Sequence, residues 1–306
     1  MKIVHWVKRE KSGLFKTTLE LAKYEERKGH KISLRTPSDN KLIYGFAGDD
    51  FDIHCIHSQI NPLYYKDGKP KMLFMHGEPN YGVSNKISIG AIMDLLPLVD
   101  GVISFNKEEA ETWNSFKRVY IIQKGIDLEM YKPTVVGKKL VGSPAILYSE
   151  HWRGFRHPLH VMAAAEKCLT KMPKLKVYLF GCPEDDKAFW LKLVRFNHYS
   201  LFTPGVFGQQ KYINEILNMS DMVVSPVFPS YGRVALEAMA CDKPTVGYDS
   251  NPHVNYKVRP YDINDLADKI MKCYEEKPTG QRDYVSKNAN AEIMAEQAID
   301  VYKRFI

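Results

Sequence analysis

The stretch from Met222 to Asp249 restricts the fold more than any other part of the chain. An apolar run at Met222 to Val224 enters a loop rich in proline and glycine. A short helical segment carrying Glu237 follows, and Pro244 admits a second apolar run at Thr245 to Tyr248. Two short strands joined through a helix lie parallel in one sheet, because the crossover carries the chain back to its starting edge. In such a sheet the loop and the helix N-terminus fall at the carboxyl ends of the strands. Backbone N–H groups and the helix dipole there favour phosphorylated ligands. The first expectation is therefore a parallel α/β protein with an anion site near residues 225–237.

The same alternation runs through the rest of the chain. Lys2 to Val7 reads as a strand, Leu14, Thr18, Leu21, Ala22 and Glu25 follow at helical spacing, Gly29-His30 stops the helix, and Lys31 to Leu34 resumes as a strand. Apolar runs at Phe51 to His57, Lys71 to Met75, Gly101 to Ser104 and Val119 to Ile122 extend that sheet. The pattern then restarts, with strands at Ala145 to Tyr148, Lys176 to Phe180, Met222 to Val224 and Thr245 to Tyr248, and helices at Pro158 to Cys168 and Ile263 to Glu276. A chain of 306 residues can hold two domains, each with its own core. The expected division is a first domain over 1–133, a connection over 134–144, a second domain over 145–289 and a final helix over 290–306. Ile293, Met294, Ala298, Ile299, Tyr302 and Phe305 give that helix an apolar face that can cross back onto the first domain.

Composition narrows the class. Apolar residues at 44% and charged residues at 26% suit a folded soluble protein and argue against disorder. The sequence holds no apolar run of about 18 residues, and Met-Lys-Ile-Val-His-Trp lacks a signal-peptide core. A cytoplasmic protein is expected, with peripheral attachment to a membrane left open. Cys55, Cys168, Cys182, Cys241 and Cys273 form no C-x-x-C pair, so buried free thiols are expected, with no metal site and no cofactor. The net charge of +7 is unevenly placed: up to Arg35 there are ten basic residues against four acidic ones. Lys8, Arg9, Lys11 and Lys16 cluster in and just after the first loop.

Several segments, in order, carry a resemblance. Ser225-Pro-Val-Phe-Pro-Ser-Tyr-Gly-Arg-Val-Ala-Leu-Glu237, continued by Ala-Met-Ala-Cys-Asp-Lys-Pro244, is similar to the nucleotide-sugar loop of retaining GT-B glycosyltransferases, the large family four, also called glycosyl transferases group 1. Ser12-Gly13 with Arg27-Lys-Gly-His30 resembles the glycine turn and helix end that open that family's first domain. Phe51-Asp-Ile-His-Cys-Ile-His57 and Leu73-Phe-Met-His76 resemble its histidine-bearing strands. Ile121-Ile-Gln-Lys-Gly-Ile-Asp127 resembles its I-P-N-G-V-D segment, and Ile146 to Arg156 stands where an arginine and a lysine grip the donor pyrophosphate.

The resemblance implies two Rossmann-like domains facing a cleft, the first for the acceptor and the second for a UDP- or GDP-linked sugar. It implies transfer of the sugar to an acceptor hydroxyl with retention of configuration and without a metal ion. The donor diphosphate would meet His151, Arg156 and Arg153, whose guanidinium groups suit it through bidentate bonds. It would also meet the backbone of Tyr231, Gly232, Arg233 and Val234 at a helix start, and Gly13 would let a phosphate or sugar approach the first turn. Glu237 would hold the nucleotide ribose; as a buried carboxylate it needs a hydrogen-bonding partner in any case. His76 would contact the transferred sugar, His57 would lie on the acceptor side, and His54 would be structural. Lys124 replaces the usual asparagine, where it meets a diphosphate or an anionic acceptor, or is a solvated loop lysine. The acceptor is open between a saccharide, a nucleic acid with a hydroxymethylated base and an anionic lipid. The first glutamate of the family's E-x7-E pair falls on Pro229. With Lys124, His151 and Asp242 also departing from the pattern, a non-catalytic nucleotide-sugar-binding subunit is the alternative.

Overall fold

The computed structural model describes residues 1–7, 13–37, 39–57, 67–76, 89–150, 152, 156–181, 198–202, 210–228 and 232–306. The chain forms two compact units, one made of residues 1–127 and 289–306 and the other of 128–288.

The first unit runs β1 (Lys2–Val7), α1 (Gly13–Arg27), β2 (Lys31–Arg35), β3 (Leu42–Gly45), β4 (Ile53–His57), β5 (Lys71–Met75), α2 (Ile89–Leu95), β6 (Gly101–Ser104), α3 (Lys107–Asn114) and β7 (Val119–Ile121). Among the described residues its sheet has the order β3-β2-β1-β4-β5-β6-β7. All neighbours are parallel except β2 and β3, which the short segment 36–41 joins as an antiparallel pair. Both sheet faces are covered, which is why the inner strands read as unbroken apolar runs. Ile3, Cys55, Phe74 and Ile103 face one core, whereas Val4, Ile56, Leu73 and Val102 face the other, as the two-residue period of a strand demands.

The second unit contains β8 (Ala145–Tyr148), α4 (Pro158–Cys168), β9 (Lys176–Phe180), β10 (Tyr199–Phe202), α5 (Gln210–Met219), β11 (Met222–Ser225), α6 (Arg233–Ala240), β12 (Thr245–Tyr248), β13 (Tyr256–Val258), α7 (Ile263–Glu276) and α8 (Gln281–Asn288). Its strands are parallel in the order β10-β9-β8-β11-β12-β13 among the described residues. Helices α4 and α7 pack together over one face through Val161, Ala164, Cys168, Leu266 and Ile270. Cys55, Cys168, Cys241 and Cys273 are buried free thiols; Cys182 lies outside the described residues.

The chain leaves the first unit after Asp127, earlier than the expected boundary at 133, because the following residues are tied into the second. Tyr131 is fully buried there, and Arg282 donates to the carbonyl oxygens of Leu128 at 2.9 Å, Tyr131 at 2.7 Å and Ala240 at 2.7 Å. Residues 134–144, expected to be a connection, also belong to the second unit: Thr134 N–H bonds Asn218, and the Val141 carbonyl accepts from Tyr178.

The last helix, α9 (Ala291–Tyr302), returns to the first unit and packs on α1. Its entry crosses the loop after β7, with Ile126 N–H bonded to Ala289 O and Ala291 N–H to Ile126 O. A Cβ on Gly125 would stand 2.3 Å from the Asn290 carbonyl oxygen and 2.7 Å from Ala291 Cα, so this crossing requires glycine. The glycine of the Lys124-Gly-Ile-Asp127 segment therefore has a packing role.

Candidate functional site

In the second unit the expected anion site is built around an ion pair. Strand β8 ends at Tyr148, and Glu150 follows with its side chain 6% exposed. One Glu150 oxygen accepts from Arg156 Nη1 at 2.6 Å, and the other accepts from Ser225 Oγ at the end of β11 at 2.9 Å. The Tyr148 hydroxyl bonds the Arg156 carbonyl at 3.0 Å, fixing the backbone of that residue. Burial, with the Glu150 charge beside it, pushes the Tyr148 hydroxyl well above its ordinary pKa, so it stays a donor.

Gly232 closes on this pair from the start of α6. A Cβ there would lie 2.3 Å from Glu150 Oε1 and 2.7 Å from Arg156 Nη1, so glycine is what admits the helix N-terminus beside the guanidinium. The arrangement puts a fixed cation next to the amide end of a helix, which is chemistry for an anion. Sequence reasoning missed Glu150. Its only signal was a carboxylate just past a strand end and six residues before an arginine.

Glu237 lies on α6 and is 4% exposed. The expected partner for a buried carboxylate comes partly from the protein, since Oε1 accepts from the Tyr131 hydroxyl at 3.0 Å and from Arg233 Nε at 3.1 Å. Arg233 is thus engaged with Glu237 one turn away. Val234 is half-buried in the first turn of α6. Asp242, which stands where the related pattern has glycine, adopts φ of 57°; its carboxylate accepts from the N–H groups of Gln281 at 2.8 Å and Arg282 at 3.2 Å. It serves both the left-handed position after α6 and the N-terminus of α8. His151, Arg153, Pro229 and Tyr231 lie outside the described residues.

In the first unit three histidines meet at the carboxyl ends of β1, β4 and β5. His57 Nδ1 is 2.9 Å from His76 Nε2, and His57 Nε2 is 2.9 Å from His5 Nδ1. His5 Nε2 is 2.6 Å from Glu25 Oε2, and Tyr302 donates to Glu25 Oε1 at 3.0 Å. His57 is fully buried, so it stands behind His76 instead of offering a surface to an acceptor. Burial and its two histidine neighbours hold it well below the usual imidazole pKa, and it is neutral. His76 is half-buried at the end of β5.

His54, expected to be structural, accepts from Trp6 Nε1 at 3.0 Å and bonds Asp67 at 2.6 Å. Lys124 is no solvated lysine. It is 8% exposed, with its ammonium 5.7 Å from the centre of the Phe105 ring, which in turn lies 5.1 Å from His76. Gly13 is exposed at the start of α1, and a Cβ there would meet nothing within 4 Å. Lys16 is half-buried on α1, and Lys8, Arg9 and Lys11 lie outside the described residues. Among the described residues no group of three His, Cys, Asp or Glu side chains is placed to hold a metal ion, and no helix is long and apolar enough to cross a membrane.

Residues 145–276 match the family described as glycosyl transferases group 1. No curated protein matches the sequence. Among solved structures, a glycosyltransferase from Rickettsia africae is similar over 99% of this chain and 98% of its own, with 16% identity and a TM-score of 0.72. HepE of Anabaena in complex with UDP-glucose is similar over 99% of this chain and 100% of its own, at 14% identity and a TM-score of 0.75. An alpha-glucosyltransferase in complex with UDP and a 13-mer DNA containing an HMU base is similar over 99% of both chains, at 14% identity and a TM-score of 0.72. At these identities the likeness is one of fold.

Proposed function

We propose, from a chain whose residues 145–276 match glycosyl transferases group 1 and whose fold is GT-B, that it moves a sugar from a nucleotide diphosphate to an acceptor hydroxyl with retention of configuration. The observation that carries this reading is the Glu150–Arg156 pair set against Gly232 at the start of α6. As the sugar leaves, negative charge grows on the departing diphosphate. A guanidinium already held in place, beside helix N–H groups, stabilises that charge without having to reorganise. Such neutralisation dispenses with a metal ion. Glu237, one helical turn further along α6, takes the nucleotide ribose through Oε2, since both described donors meet Oε1. A UDP-linked donor is the first choice, because the similar HepE and alpha-glucosyltransferase structures hold UDP or UDP-glucose.

Thermal stabilisation and sugar transfer measured over a panel of UDP- and GDP-sugars test the reading. Replacing Glu237 by glutamine turns charge-assisted bonds into neutral ones, and the free nucleotide is expected to bind about 1.5–3 kcal/mol more weakly by calorimetry. Unchanged affinity removes the ribose role. Nucleotide binding with no transfer to any acceptor favours the non-catalytic subunit that Pro229 suggests.

The acceptor we assign is anionic, on the strength of the ten basic residues up to Arg35 against four acidic ones. Activity on hydroxymethylated DNA, anionic vesicles and free saccharides should then separate by salt. Counterion release makes binding to a charged acceptor fall steeply from low to physiological salt. Neutralising Lys8, Arg9, Lys11 and Lys16 together should raise the KM for the acceptor and leave donor binding alone. A flat salt response on every active acceptor rejects the anionic assignment.

A further inference from the structure

Glu237 meets the protein through one oxygen only. Its side-chain donors, the Tyr131 hydroxyl at 3.0 Å and Arg233 Nε at 3.1 Å, both bond Oε1, and Oε2 has no donor among the described residues. An ionised carboxyl group accepts about two hydrogen bonds on each oxygen, so Oε1 is filled and Oε2 is open. The residue is 4% exposed, and a carboxylate oxygen under such cover needs a donor. A ligand hydroxyl supplies one.

The two donors on Oε1 differ in origin. Arg233 lies one turn before Glu237 on α6, a pairing that helix geometry brings about by itself. Tyr131 comes from 106 residues away and from outside any helix or strand. Its backbone is pinned on both sides. Arg282 donates to the Tyr131 carbonyl at 2.7 Å, while the next residue, Lys132, gives its N–H to Asn214 at 3.1 Å and accepts from Asn218 on its carbonyl at 2.9 Å. Asn214 and Asn218 stand one turn apart on α5. The Tyr131 ring is fully buried, so its hydroxyl sets the torsion of the carboxylate and does not reach a ligand. Packing asks only for the ring, since the hydroxyl adds a buried polar group with a desolvation cost of its own.

We infer that Tyr131 is a specificity-determining residue of the nucleotide site: by filling Oε1 together with Arg233 it leaves Glu237 one oxygen for the ribose, so the site reads one of the two ribose hydroxyls and ignores the other. This rests on the ribose reading of Glu237 above. A ribose presents its 2′- and 3′-hydroxyls side by side, and a carboxylate with both oxygens clear takes one on each. With Oε1 filled, the second hydroxyl finds no acceptor on Glu237 and gains nothing there over water. A donor built on a deoxyribose that keeps the hydroxyl the site reads is therefore still accepted. Tyr131 touches Glu237 and not the nucleotide, which makes it a positioning residue.

Calorimetry on the full chain with UDP, 2′-deoxy-UDP and 3′-deoxy-UDP, or with the guanosine set where GDP is the nucleotide bound, tests the inference. In the wild type one deoxy nucleotide is expected to bind about 10- to 100-fold more weakly than the parent, and the other within about 3-fold of it. Comparable losses for both overturn the inference and leave the ribose role of Glu237 standing. No loss for either overturns both, and the absence of any nucleotide binding overturns the transferase reading with them. Tyr131→Phe keeps the ring and removes one bond to Oε1. The carboxylate is then free to turn and offer both oxygens, so the second deoxy nucleotide is expected to fall at least about 10-fold below the parent as well. Thermal melting without nucleotide reads any purely structural loss separately. An unchanged one-hydroxyl pattern in a folded Tyr131→Phe protein makes Tyr131 a packing residue and overturns the inference. If Tyr131→Phe does not fold, the wild-type pattern decides.

Discussion

Replacing Arg156 by alanine is expected to lower both stability and turnover, by separable routes. The Glu150 carboxylate is 6% exposed and takes its 2.6 Å bond from Arg156, whose own side chain is 21% exposed. Removing one member of a largely buried pair leaves the other charge uncompensated, a loss of about 3–5 kcal/mol. The partial exposure of Arg156 puts the expected value near about 3 kcal/mol in urea unfolding. Turnover is expected to fall by about 10²–10³-fold, because the guanidinium opposes charge that develops on the leaving diphosphate. The double substitution Glu150→Gln with Arg156→Ala separates the two: it should recover most of the stability, since no buried charge is left alone, and none of the turnover. Recovery of turnover in the double variant would mean that Arg156 serves the fold only.

The strands of both sheets were legible because burial on two faces leaves continuous apolar runs, and the helix carrying Glu237 was legible from its loop. Three of the four edge strands were not. Leu42–Gly45, Tyr199–Phe202 and Tyr256–Val258 are only three or four residues long, so they carry no run that stands out from a loop. The sites followed the same rule. Arg156 was a candidate from its place after the first strand of the second unit. Glu150 was not, because its meaning comes from Ser225 and Gly232, which only the pairing of β8 with β11 brings alongside.

The histidine array was invisible for a similar reason. Its members stand at 5, 25, 57, 76 and 302, and the parallel register that pairs Val7 with His57 and His57 with Phe74 sets His5, His57 and His76 on one face. The Glu237 carboxylate shows the converse error. Its need for a partner was read correctly, but Tyr131, 106 residues away, supplies part of it from within the protein.

Stability is expected to drop as pH falls from about 6.5 toward 4, well before the carboxylates titrate. Burial lowers the pKa of His30, His54, His57 and His160, and takes His157 from 6.5 to about 4. For His54 the nearby Asp67 opposes the shift, and burial prevails. In the unfolded chain these rings take up protons near pH 6.5, whereas the folded protein holds them neutral, so below that pH the unfolded state binds more protons and gains. The contribution is whole above 6.5 and disappears as pH approaches the folded values. Asp67 and Asp262 are lowered from 3.8, so what they add persists down to that pH and is lost only beyond the window. His157 and His160 are half-buried, so solvent screens part of their share of the loss between pH 6.5 and 4. Urea unfolding at half-unit steps of pH reads it directly. His157 offers a clean control, since its φ of 48° is one that asparagine tolerates. In His157→Asn the backbone is kept and one titrating group removed, so the slope of stability against pH should flatten between 6.5 and 4 while stability at pH 8 stays close to wild type. A slope that is flat in the wild type already would show that these rings are charged in the folded protein.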